Sequence, residues 1–148
     1  MEIKAVDHNV NIIAMEKNGK RYAMCCAWVT QVGPKQVICA IGPQSSTGNA
    51  IEAGDIIGIS NLKKEQKMIA FQLGDMDRHS ADTDKLGGID FYSDDGAIVI
   101  NNARVEMKAK VVEVLHLKEL EAENIVYAQI LKGKENGGDA LHISDLGM

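Results

Sequence analysis

At residues 44–47, Gln44, Ser45, Ser46 and Thr47 set an amide and three hydroxyls where an apolar run has ended and a short helical pattern begins. A helix start offers free backbone N–H groups and the positive end of the helix dipole, so this is a place where an anion such as phosphate can be held. Capping alone uses one such side chain, and it is the commoner use of Ser or Thr there, whereas a dianion takes several donors. The loop has neither the lysine of a P-loop nor the three glycines of a dinucleotide fingerprint. Upstream, Met24-Cys25-Cys26-Ala27-Trp28 places small side chains beside the one tryptophan, leaving strand backbone that a flat ring could approach. The same residues also suit a crowded core in which thiols serve as small hydrophobes.

Other chemistry is less well supplied. Lys63, Lys64, Lys67, Arg78 and Lys85 concentrate positive charge after Asn61, with Arg78 and Lys85 in an irregular stretch where they could meet a phosphate, and the lysines suited to a solvated helix face. The four histidines are scattered, with no i, i+4 pair, and no CxxC occurs, so no metal site is expected. No histidine lies near the cysteines, and His142, Ser144 and Asp145 are too close together in sequence to read as a hydrolase triad. No catalytic acid, base or nucleophile is assigned.

The elements that must position these residues read mainly as β. Asn18-Gly19 and Asp95-Gly96 are two-residue hairpin signals. A nearly continuous apolar and small run over 21–30 predicts one strand covered on both faces, followed by a break at Gly33-Pro34 and a second buried strand from Gln36. A short helix is expected after residue 46, capped by Thr47 or Asn49 and ended by Gly54, then a strand from Asp55 and an amphipathic helix capped by Asn61 and closed by Gly74. Residues 75–88 read as an exposed loop, 104–117 as one long half-buried strand, 118–123 as a turn, and 124–133 as a further strand. Seven or eight strands against two helices, without βαβ alternation, predict a closed or nearly closed antiparallel barrel forming a single domain over 1–148.

The 148 residues carry a net charge of -5, which argues against a general nucleic-acid binder. No apolar run approaches the ~20 residues of a membrane span, the N-terminus has charges where an export signal has an apolar core, and the odd cysteine count favours free thiols. A cytoplasmic protein, without membrane or nucleic-acid partners, is expected.

The order of these features over about residues 9–132 resembles the flavin reductase-like family of FMN-binding split barrels, near the short modules that also occur fused to rubredoxin. The resemblance rests on YAMCCAWVT, the turn at Pro34, VICAIG, QSSTGNAIEAGDIIGISNL and DKLGG, with Thr47, Asn61 and Asp84-Lys85 at characteristic positions. Cys25 and Ala27 stand where hydroxyl residues are frequent, and Glu123-Asn124 where many members carry a histidine. The resemblance implies an antiparallel Greek-key barrel with two short helices, and FMN lying across the barrel rim at a homodimer interface. Backbone from Cys25, Cys26, Ala27 and Trp28 would face the ring, Gln44, Ser45, Ser46 and Thr47 would take the phosphate, and Asn61 and Lys85 would lie near the cofactor. It further implies flavin reduction by NADH or NADPH or, alternatively, a non-enzymatic electron-transfer module serving a rubredoxin or flavodiiron partner.

Overall fold

The computed structural model describes residues 3, 5–42, 45–74 and 85–147. Among these, nine strands form one antiparallel system: β1 (Asn11–Lys17), β2 (Lys20–Cys26), β3 (Val29–Gln31), β4 (Gln36–Ile41), β5 (Ile56–Asn61), β6 (Phe91–Asp94), β7 (Ala97–Ile100), β8 (Val105–Leu117) and β9 (Leu120–Glu135). The sheet runs β3-β4-β9-β8-β5-β1-β7-β6, with β2 on the other edge of β1. The Cys26 thiol donates to Ala40 O at 3.5 Å, joining the end of β2 to β4 and bringing the two ends of the sheet together.

β1 is the central element, and its sequence explains why. Ile13 and Met15 face the barrel interior with Cys26, Cys39, Ile57 and Val111, while Ile12 and Ala14 face an outer layer with Leu62, Leu73, Ile98 and Leu141. All of these are buried, and each large side chain contributes roughly 1.5–3 kcal/mol. The barrel splits along the same strand. Residues 11–14 of β1 pair with β5, and β7 takes over at Met15, opposite Ala97. This handover needs Gly58, because a Cβ there would sit 1.9 Å from Ile98 O where β7 crosses β5.

Both hairpin turns form where the dipeptides place them, with Asn18 and Asp95 at φ 54. β8 is the expected long strand. Elsewhere the structure departs from the sequence reading. The strand anticipated over 21–30 breaks at Ala27-Trp28, where the chain leaves β1 and pairs with β4 instead. β2 is also less covered than expected: Lys20 and Arg21 are exposed, because side chains of either polarity are tolerated once one face meets water. The turn before β9 is only Lys118-Glu119, since Glu119 adopts φ 68 and lets the strand start at Leu120.

The two helices are α1 (Ser46–Ala50) and α2 (Lys67–Leu73), the latter preceded by a 3-10 turn at Lys64–Gln66. Asn61 does not cap α2; it lies in β5, and the Lys63 N–H donates to Gln66 Oε1 at the start of the 3-10 turn. Gly54 does not end α1, which stops at an extended Ile51, and serves the following turn, its N–H donating to Val111 O. Among the described residues no helix is long and apolar enough to cross a membrane.

Candidate functional site

The expected site residues converge on the second half of β2, and strand alternation sends them to different faces. Met24 and Cys26 pair with Ile13 and Asn11 and point inward, whereas Cys25 pairs with Ile12 and lies on the α2 side, near Gly74. Burial pushes the Cys25 thiol up to about 11, with the nearby Lys85 amine pulling slightly the other way. Burial raises Cys26 to about 12 and Cys39 higher still. All three thiols are therefore protonated near neutrality and act as small apolar groups. Beyond Cys26 the backbone turns outward. The Ala40 N–H donates to Trp28 O at 2.9 Å, and the Trp28 side chain is left 55 % exposed at the rim.

The hydroxyl segment lies beside this strand. Ser45, and not Thr47 or Asn49, caps α1: its Oγ accepts from the Gly48 N–H at 2.8 Å and donates to Gly42 O at 3.1 Å, 3.7 Å from Met24 Sδ. Gly48 permits this packing, because a Cβ there would meet Gly42 O at 2.4 Å. The far end of α1 is held by Lys17, whose amine donates to Ala50 O at 2.7 Å and pairs with Asp55. Asn124, at the position where a histidine is frequent, donates from Nδ2 to Gly48 O at 3.0 Å. Beside the occupied Ser45, Ser46 is half-buried and Thr47 buried, and neither hydroxyl makes a side-chain hydrogen bond among the described residues, where no buried side-chain oxygen or nitrogen lacks a partner. Gln44 lies outside the described residues, as do Arg78, Asp84 and all of residues 75–84 of the expected loop 75–88.

Asn61 occupies the cross-strand row Cys26–Asn11–Asn61. Its Nδ2 donates to Asn11 Oδ1 at 3.0 Å, and its Oδ1 accepts from Arg104 Nε at 2.7 Å. Asn11 in turn donates to Cys26 O at 3.4 Å. Sequence reasoning missed Asn11 and Arg104. A signal for Asn11 was available, since it is the polar residue on the inward-facing set of an otherwise apolar strand; Arg104 had none. Lys85 is buried, and its amine donates to Leu73 O at 3.0 Å at the carboxyl end of α2, where a cation suits the helix dipole. Lys64 and Lys67 are exposed, with Lys67 over the Phe71 ring at 5.7 Å, as a solvated helix face requires. Ser144 Oγ donates to Asp7 at 2.7 Å and not to His142, so no triad is assembled there.

The arrangement thus gives a turning backbone segment with an exposed indole, two hydroxyls by a helix start that make no side-chain hydrogen bond among the described residues, and protonated thiols. A family model for the flavin reductase like domain matches residues 3–144. The chain belongs to that family. This flavin reductase like domain matches none of the curated proteins. Among solved structures it is similar to a flavin reductase domain protein from Arthrobacter sp. FB24, with 17 % identity, 91 % of this chain and 80 % of that one covered, and a TM-score of 0.75. It is also similar to the Streptomyces globisporus C-1027 NADH:FAD oxidoreductase, at 16 % identity, 88 % and 76 % coverage and a TM-score of 0.76. A third is flavoredoxin from Methanosarcina acetivorans, at 15 %, 94 % and 80 %, with a TM-score of 0.73. At these identities the likeness establishes the split-barrel fold of the flavin reductase like domain, and the chemistry has to be argued from its own residues.

Proposed function

We propose that the chain binds FMN and reduces it with NADH or NADPH, as a cytoplasmic homodimer. The observation that carries the reading is the pair of uncommitted hydroxyls, Ser46 and Thr47, beside the rim formed by Cys25–Trp28, in a chain of the flavin reductase like family. A hydroxyl that makes no hydrogen bond within the chain is free to donate to a phosphate oxygen, a charge-assisted bond. Gln44 and Ser45 belong to the same reading, and Lys85 places positive charge on the α2 side of Cys25. The small side chains of Cys25, Cys26 and Ala27 leave room for a ring against the backbone, and Trp28 offers a face to stack on. Asn61 acts on the site by way of Asn11, which holds Cys26 O.

When bound, the flavin itself supplies the hydride acceptor, so the chain's task is to orient two rings and exclude water. No acid or base is demanded of the protein. The protonated thiols suit this role, because they neither attack nor ligate. A second copy placed against the exposed Trp28 would complete the cover.

The test is a calorimetric titration with FMN, comparing the chain with S46A/T47A. Two charge-assisted hydrogen bonds, each worth about 1.5–3 kcal/mol, predict an affinity loss of about a hundredfold or more. Unchanged affinity removes the phosphate from this segment. Anaerobic mixing of the flavin-loaded chain with NADH and with NADPH then reads loss of the visible flavin absorbance. If neither bleaches it, the second reading gains, an electron-transfer module for a redox protein, which the likeness to flavoredoxin supports.

A further inference from the structure

A helix as short as α1 does not hold itself in place. Isolated helices need about 12–15 residues to persist in water, and the last carbonyls of any helix have no following amide to receive. At the end of α1 the Ile51 N–H donates to Thr47 O, and the Glu52 N–H turns away to Asp55 Oδ2, so the Gly48 carbonyl has no helical donor. Ala50 is the last residue of the helix. Side chains from two strands supply the missing donors: Asn124 of β9 donates from Nδ2 to Gly48 O at 3.0 Å, and the Lys17 amine of β1 donates to Ala50 O at 2.7 Å.

Each of these side chains ties α1 to the barrel wall. Asn124 is the cross-strand partner of Ile41, the last residue of β4, so it joins the exit of the segment 42–48 to the strand from which that segment departs. Lys17 also pairs with Asp55 at 2.8 Å and with Glu52 at 3.3 Å. Asp55 is itself fixed to β8, its carbonyl accepting from the Val111 N–H at 2.8 Å while the Gly54 N–H donates to Val111 O. The Lys17 and Asp55 side chains are about four-fifths covered, which shields their pair from water; the exposed Glu52 adds little. Neither anchor touches the side chain of Ser46 or Thr47, so the segment is held by its carbonyls while those two hydroxyls stay available.

We propose that Lys17 and Asn124 are positioning residues for the phosphate of the flavin, and that by holding α1 at its end and middle they set the preference of the chain for a phosphorylated flavin over the same ring without phosphate. This rests on the assignment of the phosphate to Ser46 and Thr47. With either anchor removed the hydroxyls are still present but must be ordered when ligand binds, and ordering one residue lowers affinity by a factor of about five to thirty. The ring lies against residues 25–28 on that assignment, and its share of the affinity does not depend on α1.

The experiment is calorimetric titration of the full chain, Lys17→Met and Asn124→Leu with FMN and with riboflavin. Each variant should bind FMN about fivefold or more weakly and riboflavin as the wild type does. Lys17→Arg, which keeps a cation able to donate to a carbonyl and a carboxylate, should fall closer to wild type than Lys17→Met. Hydrogen exchange gives a second readout: in the flavin-free chain the amides of residues 45–50 should exchange faster in both variants, and FMN should slow them again. Thermal melting checks that each variant is folded, and Asn124→Leu carries the test if Lys17→Met is not. Unchanged FMN affinity, an equal loss for FMN and riboflavin, or unchanged exchange over 45–50 overturns the positioning role. S46A/T47A separates the two failures: if it too leaves FMN affinity unchanged, the phosphate assignment has failed, and if it weakens FMN while the anchor variants do not, the positioning role alone has.

Discussion

Replacing Asn61 by alanine separates a positioning role from direct cofactor contact. The side chain makes two hydrogen bonds, one to the 3 %-exposed Asn11 and one from the Arg104 guanidinium. A neutral bond contributes about 0.5–1.5 kcal/mol, a charge-assisted one more, and a buried acceptor left without a donor costs about 1–3 kcal/mol. Arg104 is half-exposed and can return to water, so its share falls at the low end. The expected cost of N61A is about 2–4 kcal/mol. For a chain of this size that corresponds to a Tm lower by about 5–12 °C.

Thermal unfolding of N61A, Arg104→Met and the double variant checks the number. Arg104→Met alone should cost about 1–2 kcal/mol, and the double variant clearly less than the two combined, because the partners share one bond. An N61A Tm within about 2 °C of wild type, or strictly additive effects, refutes the network. Flavin affinity supplies the second readout. If Asn61 acts by way of Asn11, restoring the amide with Asn61→Gln leaves affinity closer to wild type than N61A does.

Gly58→Ala should fail to reach the native fold or lose at least about 3 kcal/mol, because its Cβ meets the backbone of Ile98 at 1.9 Å and neither strand has a flexible end to yield; circular dichroism melting reads it, and wild-type stability would refute the crossing of β7 over β5. Alkylation of Cys25 at pH 8 should run about a hundredfold slower than that of an ordinary thiol. Raising its pKa from 9.0 to about 11 cuts the thiolate fraction from about a tenth to about a thousandth, and reactivity should climb as pH rises toward 11. Mass spectrometry against a denatured control checks it, and rapid native labelling at pH 8 would refute the burial.

Local signals served well where they were self-contained. Asn-Gly and Asp-Gly produced their hairpins because positive φ is a property of two residues, and the alternation over 104–117 produced β8 because period two is a property of one strand. What escaped reading was decided between strands. The change of partner at Ala27-Trp28 depends on β4 being available beside Cys26, and the segment itself is as apolar as a continuous strand. Choosing Ser45 as the cap depends on Gly42 O lying within reach of its hydroxyl. Asn61 matched the site by sequence position, yet its immediate partners, Asn11 and Arg104, lie 50 and 43 residues away. A charged residue recruited across that distance leaves no pattern in its own neighbourhood.

The same distinction bears on the proposed flavin site, which asks no catalytic side chain of the barrel. One strand, β2, delivers Met24 and Cys26 to the interior and Cys25 to the α2 layer, then abandons β1 so that Ala27 and Trp28 form a rim. Each thiol on it is held protonated by burial, which removes three nucleophiles from beside a surface suited to a reactive ring. The polar groups that remain are of two kinds. Asn11, Asn61 and Arg104 satisfy one another between the strand ends, whereas Ser46 and Thr47, which make no side-chain hydrogen bond among the described residues, are the hydroxyls to which the proposal assigns the phosphate. On the proposed reading the asparagines supply rigidity and the hydroxyls the anion contacts, and a hydrogen bond to Ser46 or Thr47 from elsewhere in the chain would remove the reason for placing an anion there.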